Sequence, residues 1–269
     1  MEYKFINADR NVVKEDIPEI KEWIKHEDIN QLIPEQNHTL LEYSVMGGVL
    51  EVTKFLLENG ADPTIYSGEW LSLIDLAAMY GQFETIKYLM KNEICKKEFK
   101  NDNSLIAAAI NGFPEIVKYL IEHGKNIEGV RDYHDEYGPD VGFTALRAAA
   151  QENEVETVKL LCEMGANVNV EGDDTPLYCA AAQGHLEVVK ILIDYGADVN
   201  KALKYTGTTP LQIACNWEQY DVAKYLLEHG ADPTIIDNDG NSCLQAARHH
   251  GGNRKLEKLI LDAIKNYKK

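Results

Sequence analysis

No two cysteines in this 269-residue sequence stand two residues apart, so it holds neither a zinc knuckle nor a redox dithiol. Its five cysteines, Cys95, Cys162, Cys179, Cys215 and Cys243, are scattered and odd in number, which argues against a disulfide framework. No apolar run approaches the roughly 18 residues needed to cross a bilayer. Met1 to Arg10 lacks the basic-then-apolar order of a secretion signal. A reducing cytoplasm with free thiols is the expected setting. Neither GxGxxG nor GxxxxGK followed by Ser or Thr occurs, so no glycine-rich phosphate cradle is expected.

Basic residues are also in short supply. Twenty-seven Lys and Arg stand against 44 Asp and Glu, a net charge of −17. Nucleic acids and anionic lipids are polyanions held by Lys and Arg, so both are poor partners for such a surface. The acidity either serves solvation or steers a basic protein toward the chain.

Metal and catalytic sets are equally thin. His134 beside Asp135 and Glu136 is one histidine with adjacent carboxylates in a loop, weak as a metal site. His249 and His250 are neighbours, and on a helix their side chains diverge by roughly 100°. Cys179 and Cys215 fall among alanines and read as small core residues rather than nucleophiles. No catalytic residues, metal or cofactor are expected; the chain does not read as an enzyme.

What is present is a repeat. TPLYCAAAQGHLEVVKILIDYGADVN from Thr175 returns from Thr209 as TPLQIACNWEQYDVAKYLLEHGADPT. Other copies start at Thr39, Ser72, Asn103, Thr144 and Ser242. The spacings are therefore 33, 31, 41, 31, 34 and 33 residues. Each unit reads as two helices joined by a tight turn. Thr209 can cap the first helix, and Pro210 suits a first helical position that needs no amide hydrogen. An alanine-rich stretch, such as Cys179 to Ala182, lets neighbouring helices approach closely. Gly184 stands where that helix must stop, in a conformation that costs glycine least. The second helix, Leu186 to Tyr195, carries a broad apolar face that one unit cannot bury alone, so the units must stack. End segments must then differ. Ile17 to Ile33 reads as a helical segment in which Trp23 and Ile24 cover the first unit, and Leu256 to Lys269 reads as a basic closing helix.

Thr-Pro-Leu, Ala-Ala, Gly-His-Leu-Glu-Val-Val-Lys and Gly-Ala-Asp-Val-Asn, in that order, resemble the ankyrin repeat. The resemblance runs from residue 37 to about 262. Asn103-Ser104 in place of Thr-Pro, and Asn153 in place of the turn glycine, depart from the pattern. It implies an all-α ankyrin-repeat solenoid of stacked helix-turn-helix units with extended finger loops, about seven repeats plus capping helices. The expected organisation is a capping segment at 1–36, six repeats at 37–241 with an insertion loop at 128–142, and a capping repeat and helix at 242–269. An array of this kind is expected to behave as one elongated, monomeric domain.

The function implied is protein binding through a concave face of first helices and fingers. The finger positions carried over are Glu69, Trp70, Asp174 and Tyr205. The helix-end positions are Met79, Tyr80, Gln151, Glu152, Asn216, Trp217 and His249. The insertion adds Tyr133, Asp135, Glu136 and Tyr137, an aromatic-acidic patch in a loop of the kind that often forms a binding face. Trp and Tyr dominate many binding energies, so Trp70, Tyr80, Tyr205 and Trp217 are candidate anchors. Folding back over a neighbouring finger is the alternative for each, and packing is the expectation for Phe143. The expected partner is a protein, and the acidity of the chain points to a basic surface on it. A narrower alternative is an acidic stoichiometric inhibitor or immunity-type protein that neutralises a basic toxin or enzyme.

Overall fold

The structure is a computed structural model that describes residues 14–33, 38–65, 72–98, 103–130, 134–135, 138–139, 143–170, 174–248 and 253–267. The chain divides into two compact units, Met1–Lys125 and Asn126–Lys269.

In the first unit, α1 (Ile17–Trp23) precedes three helix pairs: α2 (Leu40–Met46) with α3 (Leu50–Glu58), α4 (Leu73–Met79) with α5 (Phe83–Leu89), and, after a short α6 (Glu93–Glu98), α7 (Asn103–Ile110) with α8 (Pro114–Glu122). First helices stack in the order α2, α4, α7, while α3 packs on α5. The second unit repeats the plan: α9 (Ala145–Gln151) with α10 (Val155–Glu163), α11 (Pro176–Gln183) with α12 (Leu186–Asp194), α13 (Pro210–Asn216) with α14 (Tyr220–Glu228), and α15 (Cys243–Arg248) with α16 (Arg254–Tyr267). Here α9, α11, α13 and α15 form one row and α10, α12, α14 and α16 the other. This is an all-α repeat solenoid plan.

Hydroxyl caps start these first helices. Thr39, Ser72, Thr144, Thr175 and Thr209 each accept a bond from the amide three residues on. At Thr39, Ser72 and Thr209 the side chains of Glu42, Asp75 and Gln212 reach back to the cap amide, closing a capping box. Alanines such as Ala77, Ala78, Ala108, Ala149, Ala181 and Ala214 are wholly buried between first helices. On the second helices Val52, Leu56, Ile86, Leu120, Val158, Leu161, Val188 and Leu192 have no exposed surface. Each such side chain contributes about 1.5–3 kcal/mol by leaving water.

The turns inside α4–α5, α11–α12 and α13–α14 lock neighbouring repeats together. Gly184 takes a left-handed conformation (φ 80°), and a Cβ there would lie 2.2 Å from the Gln219 carboxamide. That carboxamide belongs to the next repeat and donates from Nε2 to the Ala182 carbonyl at 3.2 Å. His185 does the same one repeat earlier, its Nε2 donating to the Gln151 carbonyl at 3.0 Å, so this histidine is structural. Asn153 takes the left-handed turn without glycine, and so does Glu218 (φ 57°). Asparagine visits this region readily, but a glutamate there costs about 1–2 kcal/mol.

Fingers begin with an Asx turn: the Asp62, Asn167, Asp198 and Asp232 side chains each accept from the amide two residues on. Asn169 and Asn200 then bridge to the next finger, accepting from the amides of Asp198 and Asp232 at 2.8 Å. Asn30 makes the same bond to the Asp62 amide.

That bond corrects the reading of the amino-terminal segment. The helix stops at Trp23, and Leu32–Ile33 forms a two-residue strand, β1, antiparallel to β2 (His38–Thr39). Asp28 accepts from the Asn30 amide as a finger aspartate does. Residues 17–30 therefore have the form of the second half of a repeat. Ile20 and Trp23 are its buried residues, whereas Ile24 is half-buried. The helix α6 was not foreseen; Asn92 caps it by accepting from the amides of Ile94 and Cys95.

Candidate functional site

The second unit presents a depression of about 270 Å³. First helices α11, α13 and α15 line one side with Tyr178, Gln212, Ile213, Asn216, Gln245 and Ala246. Finger residues Thr208, Asp237, Asn241 and Ser242 line the other. The sequence at the caps builds this arrangement. Gln212, third in its helix, accepts from the Thr209 amide at 2.8 Å and donates to the Asn241 carbonyl at 2.9 Å. One side chain thus closes its own helix and fixes the adjacent finger.

That finger is tightly knit. Asp237 Oδ1 accepts from the amides of Asp239 (3.0 Å) and Asn241 (2.7 Å), and Oδ2 accepts from Asn241 Nδ2 (3.1 Å). Asn238 ties it to the preceding finger, donating from its amide to Thr206 O and from Nδ2 to Tyr205 O, both at 2.8 Å. Backbone is thereby held while side chains stay in solvent: Tyr205 is 69% exposed, Ile236 62%, and Trp217, capping the end of α13, 58%.

The other positions singled out in the sequence fare differently. Asn216 lines the depression and is half-buried. Asp174 is engaged: its Oδ2 accepts from Arg147 Nη2 at 3.1 Å, and the same guanidinium lies 4.8 Å from the Phe143 ring centre. Phe143 is half-buried beneath it. Gln151 donates from Nε2 to the exposed Glu152 carboxylate at 3.3 Å. In the first unit, Met79 is half-buried and Tyr80 exposed. Glu69, Trp70, Tyr133, Glu136, Tyr137 and His249 lie outside the described residues, and of Asp135 only the backbone is described, in a two-residue strand paired with Gly138–Pro139.

Electrostatics point away from nucleophilic chemistry. All five cysteines are buried free thiols. Burial, followed by the Glu163 charge, raises Cys162 to about 11. A hydrogen bond with Cys243, then burial, raises Cys215 further. Beside the depression, desolvation and then the Asp174 charge push Tyr178 up to about 12, so its phenol stays protonated. No group of three His, Cys, Asp or Glu side chains able to hold a metal occurs among the described residues. No helix among them is long and apolar enough to cross a membrane.

Sequence reasoning passed over Tyr178, Gln212, Ile236, Asp237, Asn241 and Gln245. A signal existed for two of them, since glutamine recurs three residues after the caps at Thr209 and Ser242.

Comparison with known families agrees with this geometry. Family models described as Ankyrin repeats (3 copies) match residues 74–172, 170–237 and 201–268, and one described as Ankyrin repeats (many copies) matches residues 41–90. The chain belongs to the ankyrin repeat family. Such repeats generally mediate protein–protein interaction, and the family is typically a non-enzymatic scaffold. Among similar proteins is the ankyrin repeat and KH domain-containing protein mask-1 of Caenorhabditis elegans, 26% identical over 88% of this chain and 7% of its own length. A putative ankyrin repeat protein of Fowlpox virus is 26% identical over 95% of this chain and 46% of its own. A putative palmitoyltransferase of Danio rerio is 33% identical over 54% of this chain and 22% of its own. The chain thus spans less than half the length of each of these three relatives.

Proposed function

We propose that this chain binds a partner protein through the face formed by the first helices and fingers of its second unit, without catalysing a reaction. The observation that carries the reading is the exposure of Tyr205 and Trp217, at 69% and 58%. Large aromatic rings more than half exposed on hydrogen-bonded backbone suit a binding anchor, because they bury much area on contact at small entropic cost. The counterpart positions of the first unit, Met79 and Tyr80, and the insertion residues Tyr133 to Tyr137, are candidates for additional contacts.

The test is affinity capture from native lysate on immobilised protein, comparing the natural sequence with a Trp217→Ala, Tyr205→Ala double variant. Specific partners should be depleted by the double substitution. The same proteins captured at the same yield would show that the binding surface lies elsewhere.

The net charge of −17 favours a narrower second reading, in which the partner is basic and the chain acts as its stoichiometric inhibitor in the cytoplasm. Steering by charge would make association slow steeply as salt rises to physiological strength, where the Debye length is about 8 Å. An association rate indifferent to salt removes the support that acidity lends to this reading.

A further inference from the structure

The hydrogen-bond pattern inside the depression of the second unit divides its lining in two. Gln212 and Asn241 spend their polar atoms on building the finger, and Asp237 spends three of the roughly four acceptor positions of its carboxylate there. The Tyr178 and Thr208 hydroxyls, the Asn216 amide and the Gln245 Nε2 have no hydrogen-bond partner among the described residues. Hydroxyls and amides supply donors and acceptors side by side, as does the edge of an extended polypeptide.

Length separates a peptide from a small molecule. Three of the uncommitted groups, on Tyr178, Asn216 and Gln245, sit on three successive first helices, α11, α13 and α15, and Thr208 lies in the finger beside them. Packed helices lie about 8–10 Å apart, so the row from Tyr178 to Gln245 extends over roughly 16–20 Å. An extended chain rising about 3.4 Å per residue covers that distance with five or six residues.

Charge selects among peptides. Asp237 is the one Asp or Glu among the lining residues, and none is Lys or Arg. Its carboxylate is fixed by two amides and the Asn241 side chain, so it meets an incoming cation already oriented.

We infer that this depression is a groove for an extended peptide segment of five or six residues, held by Tyr178, Thr208, Asn216 and Gln245, with one Lys or Arg side chain placed against Asp237. The inference rests on the proposed reading of the second unit as a protein-binding face, and it names the form and charge of what the partner inserts.

The test uses the full chain and three pools of end-blocked octapeptides, randomised except for a central Lys, Arg or Glu. Binding is followed by fluorescence anisotropy and mapped by backbone amide shifts. The Lys and Arg pools should bind and shift the amides of Thr208, Asp237, Asn241 and Gln245, while the Glu pool binds at least tenfold more weakly. Asn216→Ala with Gln245→Ala should weaken binding about thirtyfold, the loss of two neutral hydrogen bonds. Asp237→Asn, with unchanged far-ultraviolet dichroism, should abolish the preference for Lys and Arg over Glu. Equal binding of all pools, shifts confined to another surface, or no binding at all would overturn the groove. Partner capture that depends on Trp217 and Tyr205 while no pool binds would overturn the groove alone and leave the binding face standing.

Discussion

Substituting Gly184 by alanine tests how successive repeats are joined, and its cost can be assembled from two separable parts. The first is conformational: at φ 80° an alanine Cβ crowds the following carbonyl, at about 1–2 kcal/mol. The second is contact. The added Cβ would meet Gln219 Oε1 at 2.2 Å, so the carboxamide must swing away and release the Ala182 carbonyl. A lost neutral hydrogen bond of this kind costs about 1 kcal/mol. Gly184→Ala should therefore destabilise the second unit by about 2–3 kcal/mol. Gln219→Ala alone should cost about 1 kcal/mol, because the same hydrogen bond goes. Made together, the two changes should not add: with no carboxamide in the way, the alanine costs only its backbone term. Urea denaturation of the four proteins, followed by far-ultraviolet dichroism, yields a coupling of about 1 kcal/mol. Gly184→Ala costing as much without Gln219 as with it would refute the idea that turn and side chain are locked together.

Two further predictions concern residues whose surroundings work against them. Asp75 is buried in the first unit, and desolvation raises it from 3.8 to about 6, although its hydrogen bonds from Ser72 and the nearby Lys125 charge pull the other way. The folded state then binds more protons than the unfolded one between those values, so this group's contribution to stability falls as pH rises from about 4 to 6 and stays lost above. The interval corresponds to about 3 kcal/mol at most. Asp75→Asn keeps an acceptor for the Ser72 amide and cannot ionise, so its stability advantage in chemical denaturation should grow between pH 4 and pH 7; parallel profiles would contradict this. Glu218→Gly relieves a glutamate held at φ 57°, and the melting temperature should rise by about 2–4 °C for roughly 1 kcal/mol. Asn153→Gly should gain less, and a larger gain there than at Glu218 would mean that strain is not what the substitution relieves.

Much of the fold was readable because its punctuation is local. Thr39, Ser72, Thr144, Thr175 and Thr209 act as caps through their own hydroxyls, and Gly184 turns by its own backbone freedom. The half-repeat at the amino terminus was hidden because Asp28 and Asn30 reproduce the finger chemistry without its Gly-Ala lead. Helix α6 was hidden because Asn92 caps where a finger was expected to start. The turn at Glu218 passed unnoticed because glutamate gives no sign of a left-handed backbone. The depression was least accessible of all. Which glutamine braces a finger and which stays uncommitted depends on whether its carboxamide reaches a carbonyl some thirty residues away, as that of Gln212 reaches Asn241.

The bridges made by Asn169 and Asn200 have a consequence for how such an array can change in length. Each asparagine grips the opening amide of the following finger, 29 or 32 residues downstream, and its Nδ2 also donates to the carbonyl of Gly196 or Gly230 just before it. The entrances of these two fingers are thus measured from their predecessors, and among the described residues one tip is tied back as well, through Asn238 to Thr206 and Tyr205. Residues added at a tip leave the count between entrances intact in space. Residues added within a helix pair would break the grip on both sides. Variation in what the fingertips display is in this way uncoupled from the spacing that keeps the stack in step.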